Sequence, residues 1–306
     1  MAGSKANLDN ILITGGTGFI GRPLCDYLLD QGYQLWVLSR NPVVARNVLN
    51  ARVHVVGSLD ELAAIDFVAL INLAGESLAS ARWNDKTKKK FAASRVGLTL
   101  SLFDFFARLG RFPKVLLTAS AVGFYGNCGD RLVDEQEGAG NNFAAQLCRD
   151  WEAAAQRFEV NGVRVCRMRL GIVLERDGGA LKQMLPAFRL GLGGCMGEGG
   201  HYMPWIHRHD LLRLILFALQ HERVSGALNA VAPEAVTNRQ FTKLLAQCLR
   251  RPALLPMPER ILRLLFGEMA DELLLSSQRV VPRAAQSLGF QFEYPSLQKA
   301  FSSVLK

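Results

Sequence analysis

The apolar residues of this chain alternate between short runs and positions spaced as on one face of a helix. Seven short runs predict strands, at residues 11–13, 34–38, 53–56, 67–73, 114–118, 164–170 and 226–231. Helical spacing follows the first run and recurs over residues 84–109, 143–160, 210–220 and 238–249. Repeated strand and helix alternation is typical of a parallel sheet with right-handed crossovers. The pattern therefore predicts an α/β fold, a Rossmann-type doubly wound parallel sheet.

The pattern changes near Gly178. Six glycines between Gly191 and Gly200 predict an irregular loop, and the prolines at 252, 256 and 258 precede a small helical C-terminal portion. We expect a Rossmann domain over residues 1–175, its sheet completed by parts of 203–233, and a smaller, mostly helical region over 176–306. A chain of 306 residues is long enough for both parts.

The first strand leads into a glycine-rich turn, in the stretch NILITGGTGFIG from Asn10 to Gly21. We expect Gly15 to permit the sharp turn, Gly18 to leave room for a pyrophosphate, and Gly21 to let the next helix pack on the sheet. Phosphates would meet the positive end of that helix. Such a turn also occurs without a ligand, but its place between a strand and an amphipathic helix favours dinucleotide binding. The turn residues expected to contact the cofactor are Gly15, Thr17, Gly18, Phe19, Ile20 and Gly21.

The second predicted strand ends at Ser39 and Arg40, where an NAD-binding domain carries a carboxylate for the ribose 2′-hydroxyl. An arginine there can instead pair with the 2′-phosphate of NADP, and Ser39 can add a hydroxyl donor. Arg40 could alternatively only cap a loop. The sequence predicts NADP(H) in preference to NAD(H).

The charge and cysteine content of the chain limit the kinds of partner that we expect it to bind. The net charge is +9, but the Lys and Arg residues are dispersed apart from a run at 86–90, and no nucleic-acid-binding motif accompanies them. We expect no nucleic-acid partner, and the basic balance suits a phosphorylated cofactor. Six cysteines lack any CxxC pair, no secretion signal precedes the first strand, and no apolar run reaches membrane length. We expect a cytoplasmic protein without a metal or membrane partner, and a homodimer is compatible with the sequence.

Four motifs together carry a resemblance to a known family. They are TGGTGFIG at Thr14–Gly21, NLAG at Asn72–Gly75, SAVGFYG at Ser120–Gly126 and WIHRHDL at Trp205–Leu211. With them, the chain resembles the extended (atypical) short-chain dehydrogenase/reductase superfamily, in a nucleotide-sugar-epimerase-like branch of uncharacterised proteins. The resemblance covers essentially the whole chain and implies a nicotinamide cofactor and a C-terminal substrate region. It also implies that the cofactor is lined by Asn72, Leu73, Ala74 and Ile172.

The chain departs from this family at the expected acid–base pair. Members that oxidise or epimerise sugars use a Tyr with a Lys four residues later, and the Lys lowers the phenol's pKa. Here Phe143 stands where the Tyr belongs, and neither Leu147 nor Cys148 is a Lys. Arg95 occupies a position where many relatives carry Asn, and we expect it to reach a cofactor phosphate.

Two residues remain as catalytic candidates. Ser120 matches the family's active-site serine, whose hydroxyl polarises a carbonyl, although a strand-end turn serine is an equal alternative. Tyr125 could supply a proton from the same loop, but a packing role is favoured. Cys148 is interpreted as an apolar filler. His207 and His209, two apart in a predicted strand, would share a face, and Asp210 would cap the following helix.

These observations predict an NADP(H)-binding oxidoreductase or epimerase-like protein that transfers hydride to or from an unknown small or nucleotide-sugar substrate. The alternative is a catalytically silent NADP(H)-binding regulatory or scaffold protein, motivated by the missing Tyr and Lys. A Rossmann methyltransferase is a more distant alternative, because it would need an acidic residue where Arg40 stands.

Overall fold

The structure is a computed structural model that describes residues 9–306. The strands of this part of the chain are β1 (Asn10–Thr14), β2 (Gln34–Leu38), β3 (His54–Val56), β4 (Ala69–Asn72), β5 (Val115–Ala121), β6 (Leu132–Val133), β7 (Arg164–Leu170), β8 (Ile172–Leu174), β9 (Tyr202–Met203), β10 (Trp205–His207), β11 (Gly226–Ala230), β12 (Val236–Thr237) and β13 (Arg279–Val280).

The helices alternate with these strands and then dominate the C-terminal part. They are α1 (Gly21–Asp30), α2 (Pro42–Val48), α3 (Asp85–Ala92), α4 (Leu98–Leu109), α5 (Phe143–Gln156), α6 (Gly179–Arg189), α7 (Arg208–Gln220), α8 (Asn238–Leu249), α9 (Glu259–Phe266), α10 (Arg283–Ser287) and α11 (Leu297–Val304). Residues 9–306 contain two π-helical segments: Ala93–Gly97 joins α3 to α4 without a break, and Ala270–Leu274 follows α9 after a turn at Gly267. None of the helices in residues 9–306 is long and apolar enough to span a membrane.

Seven parallel strands form the central sheet, in the order β11, β7, β5, β4, β1, β2, β3. The predicted Rossmann-type doubly wound sheet is confirmed. The order reverses between β1 and β4, where Thr14 pairs with Asn72 at the carboxyl ends of the two strands. Ligands of such sheets bind outside the strand ends at this switch point.

Both faces of the sheet are covered. Ile11 and Ile13 of β1 pack in a cluster with α1 and α7, whereas Leu12 belongs to a second cluster with Phe67 and Phe106. Successive strand residues point to opposite faces, so a strand buried on both sides must be apolar throughout. The continuous apolar runs of the sequence follow from this arrangement.

The histidines at the end of β10 correct one prediction. His207 ends the strand, but His209 already belongs to α7, so the two do not share a strand face. The Nδ1 atom of His207 accepts a hydrogen bond from the His209 amide at 3.1 Å, so His207 caps the helix. Asp210 is not the cap: its buried carboxylate accepts hydrogen bonds from the Glu293 and Tyr294 amides. The helix therefore begins two residues earlier than predicted.

Helix α6 was not predicted from the sequence. It begins among the glycines at Gly178 and Gly179 and contains Pro186, all of which argue against a helix by local preference. Its buried Leu181, Leu185 and Phe188 pack with α8 and α11 in a separate apolar cluster. Tertiary packing thus outweighs local propensity here. The proposed division of the chain at residue 175 stays a prediction.

The glycine turn offers a test of the packing between β1 and α1. A Cβ at Gly21 would lie 2.2 Å from the Gly15 carbonyl oxygen, whereas a Cβ at Gly97 would meet nothing within 4 Å. We expect Gly21→Ala to lower the free energy of unfolding by about 1–3 kcal/mol through overpacking. Gly97→Ala should raise it by about 0.5–1 kcal/mol, because Gly97 has helical dihedrals. Urea unfolding of both variants measures the difference, and equal stabilities would contradict the packing described.

Candidate functional site

The glycine turn is pressed against the exit of β4. Gly15 has a φ of 72°, and a Cβ there would lie 2.7 Å from the Leu73 carbonyl carbon and oxygen. Only glycine satisfies both conditions without strain. The backbone of Leu73 and Ala74 therefore lies directly beside the turn, and the Leu73 amide donates to the Thr14 carbonyl at 3.1 Å.

The same turn presents backbone donors to the space before α1. The amides of Thr17, Phe19 and Ile20 donate to no acceptor in the described part of the chain, whereas the Gly18 amide bonds the Gly15 carbonyl at 3.0 Å. Thr17 and Gly18 are exposed, and a Cβ at Gly18 would meet only the Gly15 oxygen, at 3.2 Å. Unpaired amides at a helix N-terminus suit an anion such as a diphosphate. The turn thus fits the phosphates of a dinucleotide.

The end of β2 carries a second feature of this site. The Ser39 amide donates to the Val56 carbonyl at 3.0 Å, which fixes the strand end beside β3. Asn41 caps α2 by accepting from the Val44 amide at 3.1 Å. Arg40 is exposed, and its side chain forms no hydrogen bond or ion pair within residues 9–306. The local cap is therefore Asn41, and the Arg40 guanidinium is available to a ligand.

Asn72 is turned into the protein at the end of β4. Its side chain is fully buried, accepts from the Thr14 hydroxyl at 2.6 Å and donates to the Thr99 hydroxyl at 2.9 Å. These bonds hold β1, β4 and α4 together. The residue that was expected to line the cofactor contributes its backbone position to this edge, while its side chain organises the elements around it.

Two further expected residues lie close to the strand ends. Ile172 begins β8 and is half-buried, with its amide donating to the Pro204 carbonyl at 2.8 Å. Phe19 of the turn packs on the start of α6, since a Cβ at Gly178 would lie 2.1 Å from the Phe19 ring. A segment that follows residue 175 therefore lies against the glycine turn.

Ser120 and Tyr125, the catalytic candidates, belong to one buried polar network. Ser120 is 2% exposed and donates to Glu152 Oε1 at 2.7 Å. Arg169 donates to both carboxylate oxygens of Glu152, from Nε at 2.9 Å and from Nη2 at 3.0 Å. Its Nη1 atom also donates to the Tyr125 hydroxyl at 2.9 Å. The two candidates are thus joined through an ion pair in the interior.

The network continues from Tyr125 to β11. The Tyr125 hydroxyl donates to the side-chain oxygen Oδ1 of Asn229 at 2.7 Å. The backbone amide of Asn229 in turn donates to the Glu135 carboxylate at 3.0 Å. Burial raises the pKa of Tyr125 to about 12, although the neighbouring Arg169 opposes the shift. A phenol in this setting keeps its proton at neutral pH. The favoured packing role and the proton-donor role of Tyr125 both remain predictions.

The position of the missing Tyr and Lys is filled by apolar groups. Phe143 begins α5 and packs edge-on against Trp83, with ring centroids 5.2 Å apart. Leu147 is buried in the same cluster, and burial raises the pKa of the Cys148 thiol to about 11. The Glu272 carboxylate accepts from the Phe143 and Ala144 amides at 3.1 and 2.7 Å. A carboxylate from the C-terminal part therefore caps this helix.

Arg95 lies in the π-helical segment Ala93–Gly97, between α3 and α4. Its guanidinium packs against Gly75, where a Cβ would lie 2.9 Å from the Arg95 Cζ atom, and over the Trp151 ring at 5.3 Å. This places the side chain at the β4 exit and beside α5.

Within residues 9–306, no group of three or more His, Cys, Asp or Glu residues is arranged to hold a metal ion.

Glu152, Arg169 and Asn229 were not selected by the sequence reasoning. The sequence does carry a signal for two of them, because Arg169 interrupts the apolar residues of the strand predicted at 164–170, and Glu152 stands among the alanines of an amphipathic helix. Charged residues are almost never fully buried unless they are paired. Such positions on adjacent elements indicate a buried ion pair, but their pairing requires the sheet order.

Comparison with known proteins agrees with this geometry. Residues 11–230 match the NAD dependent epimerase/dehydratase family, and residues 257–304 match a domain of unknown function, DUF1731. The human epimerase family protein SDR39U1 is 35% identical over 96% of this chain and 99% of its own length. Bacillus subtilis epimerase family protein YfhF is 35% identical, over 97% of this chain and 98% of its own.

Solved structures show the same fold. The crystal structure of human SDR39U1 (isoform 2) with NADPH superimposes with a TM-score of 0.87 at 34% identity, covering 96% of this chain and 98% of that one. The UDP-glucose 4-epimerase of Thermus thermophilus in complex with NAD gives a TM-score of 0.79 at 17% identity, over 97% of each chain. The latter likeness concerns the fold alone. The chain belongs to the NAD dependent epimerase/dehydratase family, among the epimerase family proteins that resemble SDR39U1.

Proposed function

We propose that this protein binds NADP(H) and acts as an oxidoreductase or epimerase-like enzyme, by hydride transfer, on a small or nucleotide-sugar substrate. The observation that carries the NADP(H) assignment is the Arg40 guanidinium at the end of β2, which has no partner within residues 9–306, beside a glycine turn with amides that are unpaired in the same residues. The family assignment and the NADPH bound to the human relative support it.

The charge at the end of β2 distinguishes the two cofactors. An arginine without an internal carboxylate partner can form charge-assisted hydrogen bonds to the 2′-phosphate of NADP, which NAD lacks. A carboxylate at this position would repel that phosphate. Ser39 lies next to it with a hydroxyl that now bonds only weakly within its own loop, at 3.3 Å to Asn41.

A bound nicotinamide would supply the hydride transfer. The residues of the chain would then have to orient the substrate and donate or accept a proton. Phe143 and Leu147 supply no acid or base at the usual place on α5. Ser120, at the end of β5, matches the family's active-site serine by its place in the sequence motif. Its hydroxyl would serve a substrate only if it released its hydrogen bond to Glu152.

A catalytically silent NADP(H)-binding protein is the second candidate, and the buried network favours it. The Ser120 hydroxyl donates a hydrogen bond to Glu152, and the Tyr125 side chain is 3% exposed with a raised pKa. The hydroxyl groups of both residues are therefore used for hydrogen bonds inside the protein.

A screen of aldehydes, ketones and nucleotide sugars with NADPH distinguishes the two candidate functions. Turnover that is abolished by Ser120→Ala would rule out the catalytically silent protein.

Arg40→Asp tests the cofactor preference. We expect the affinity for NADPH to fall tenfold or more while that for NADH changes little, because each charge-assisted hydrogen bond contributes about 1.5–3 kcal/mol. Titration calorimetry with both cofactors measures the ratio. Arg189→Asp, the same charge change at an exposed position of α6, is the control. An equal loss for both cofactors would show that Arg40 does not contact the 2′-phosphate.

Titration of the tyrosines tests the buried state of Tyr125. The sequence contains five tyrosines, and we expect Tyr125 to ionise near its pKa of about 12, above the ordinary value of 10.0. Because the raised pKa belongs to the folded state, the stability that Tyr125 contributes should be fully present below pH 10 and be lost as pH rises from there toward 12. Phenolate absorbance in the wild type and in Tyr125→Phe resolves this group. Its ionisation near pH 10 in the folded protein would contradict the buried network.

A further inference from the structure

Arg95 is held in place by two independent sets of hydrogen bonds. Its carbonyl oxygen accepts from the Thr99 hydroxyl at 2.7 Å, and Thr99 in turn accepts from the buried Asn72 at 2.9 Å. Beside it, the Ser94 hydroxyl accepts from the Glu76 amide at 2.9 Å. The π-helical turn is therefore tied to the exit of β4 on both sides of Arg95. Single π-helical turns within α-helices occur frequently at functional sites.

The guanidinium itself has few partners. Its hydrogen bonds are long, at 3.5 Å to the Phe91 carbonyl and 3.4 Å to the Ser94 hydroxyl, both within its own helix. It forms no ion pair with any carboxylate of the described chain, although Arg side chains elsewhere do so repeatedly. Burial lowers the pKa of Arg95, while the nearby Cys148 and Glu76 side chains act in the opposite direction. An arginine nevertheless stays charged in proteins.

A half-buried cation without an ion-paired carboxylate is costly, because burial removes water that a distant charge such as Glu76 does not replace. Arg95 has five N–H donors and no acceptor, so an oxygen that carries negative charge is the partner that would bind it most strongly. The absence of a side chain at Gly75 allows the guanidinium to lie against the strand exit. The carboxyl end of β4 is an edge where doubly wound sheets bind ligands.

On the basis of the NADP(H)-binding function, we propose that Arg95 supplies the positive charge of this site from the π-helical turn, in place of a lysine on α5, and binds an anionic oxygen there. The oxygen belongs either to a phosphate of the cofactor or to an acidic group of the substrate, a carboxylate or a phosphate. Cys148 is one of the two α5 residues at the position expected for the family's lysine, and it lies near Arg95. The positive charge that the family's lysine would supply from α5 is thus supplied by Arg95 from the neighbouring π-helical turn.

Arg95→Gln and Arg95→Lys test this role in two binding measurements. In the first, NADPH is titrated into the protein and followed by its fluorescence. In the second, inorganic phosphate and acetate are titrated calorimetrically into protein saturated with NADPH. We expect Arg95→Gln to weaken binding tenfold or more in one of them, and Arg95→Lys to retain most of the affinity. Loss in the first identifies a cofactor phosphate as the partner, and loss in the second identifies an acidic substrate group.

Arg149→Gln is the matched control, since it removes a positive charge from an exposed position of α5. Gly75→Ala should reproduce part of the loss, because a Cβ there would displace the Arg95 guanidinium, and it keeps the test informative if Arg95→Gln folds poorly.

Wild-type affinities for Arg95→Gln in both measurements, with an unchanged melting temperature, would overturn this role for Arg95 and leave the NADP(H) assignment intact. Failure of the wild-type protein to bind NADPH would instead reject the proposed function. The phosphate and acetate titration of the cofactor-free protein would then decide the role of Arg95 alone.

Discussion

The buried hydrogen bond between Thr14 and Asn72 joins the two strands at which the order of the sheet reverses. On one side of it the chain enters the glycine turn, and on the other it leaves β4 along Leu73 and Ala74. Asn72 also donates to Thr99 on α4. One side chain therefore fixes both the carboxyl ends of β1 and β4 and the helical segment that carries Arg95. A polar side chain that is fully buried must satisfy its hydrogen bonds internally, and here those bonds connect the parts of the site.

A second buried constraint lies one strand further along the sheet. Glu152 of α5 accepts bonds from Ser120 of β5 and from Arg169 of β7, and Arg169 extends the network through Tyr125 to Asn229 of β11. Buried ion pairs stabilise a fold only weakly relative to apolar replacements, but breaking one partner is costly because the other charge remains buried. The network therefore fixes how α5 sits on the sheet, and it holds the Ser120 hydroxyl inside the protein.

These two constraints give the candidate site an unusual distribution of charge. The start of α5 carries Phe143, Leu147 and a capping carboxylate from Glu272, where the family resemblance implies a phenol and an amine. The cations of this site lie elsewhere, on Arg40 at the end of β2 and on Arg95 in the π-helical turn. The proposed cofactor contacts, the glycine turn and Arg40, belong to other elements than α5, so the proposal that the protein binds NADP(H) does not depend on an acid–base pair on that helix.

The sequence by itself determined the elements whose signals are local. The glycine turn, the strand at 34–38 that precedes Arg40, the strand at 164–170 and the helix at 238–249 follow from hydrophobic period and glycine spacing, which depend on near neighbours along the chain. Only the tertiary structure decided the inward turn of Asn72, the pairing of Glu152 with Arg169 and the helical state of residues 179–189. Each of these depends on groups distant in the sequence, Asn72 on Thr14 and Thr99, Glu152 on Arg169, and α6 on the packing of α8 and α11. A residue's preference is local, whereas the satisfaction of a buried charge or amide is a property of the assembled sheet.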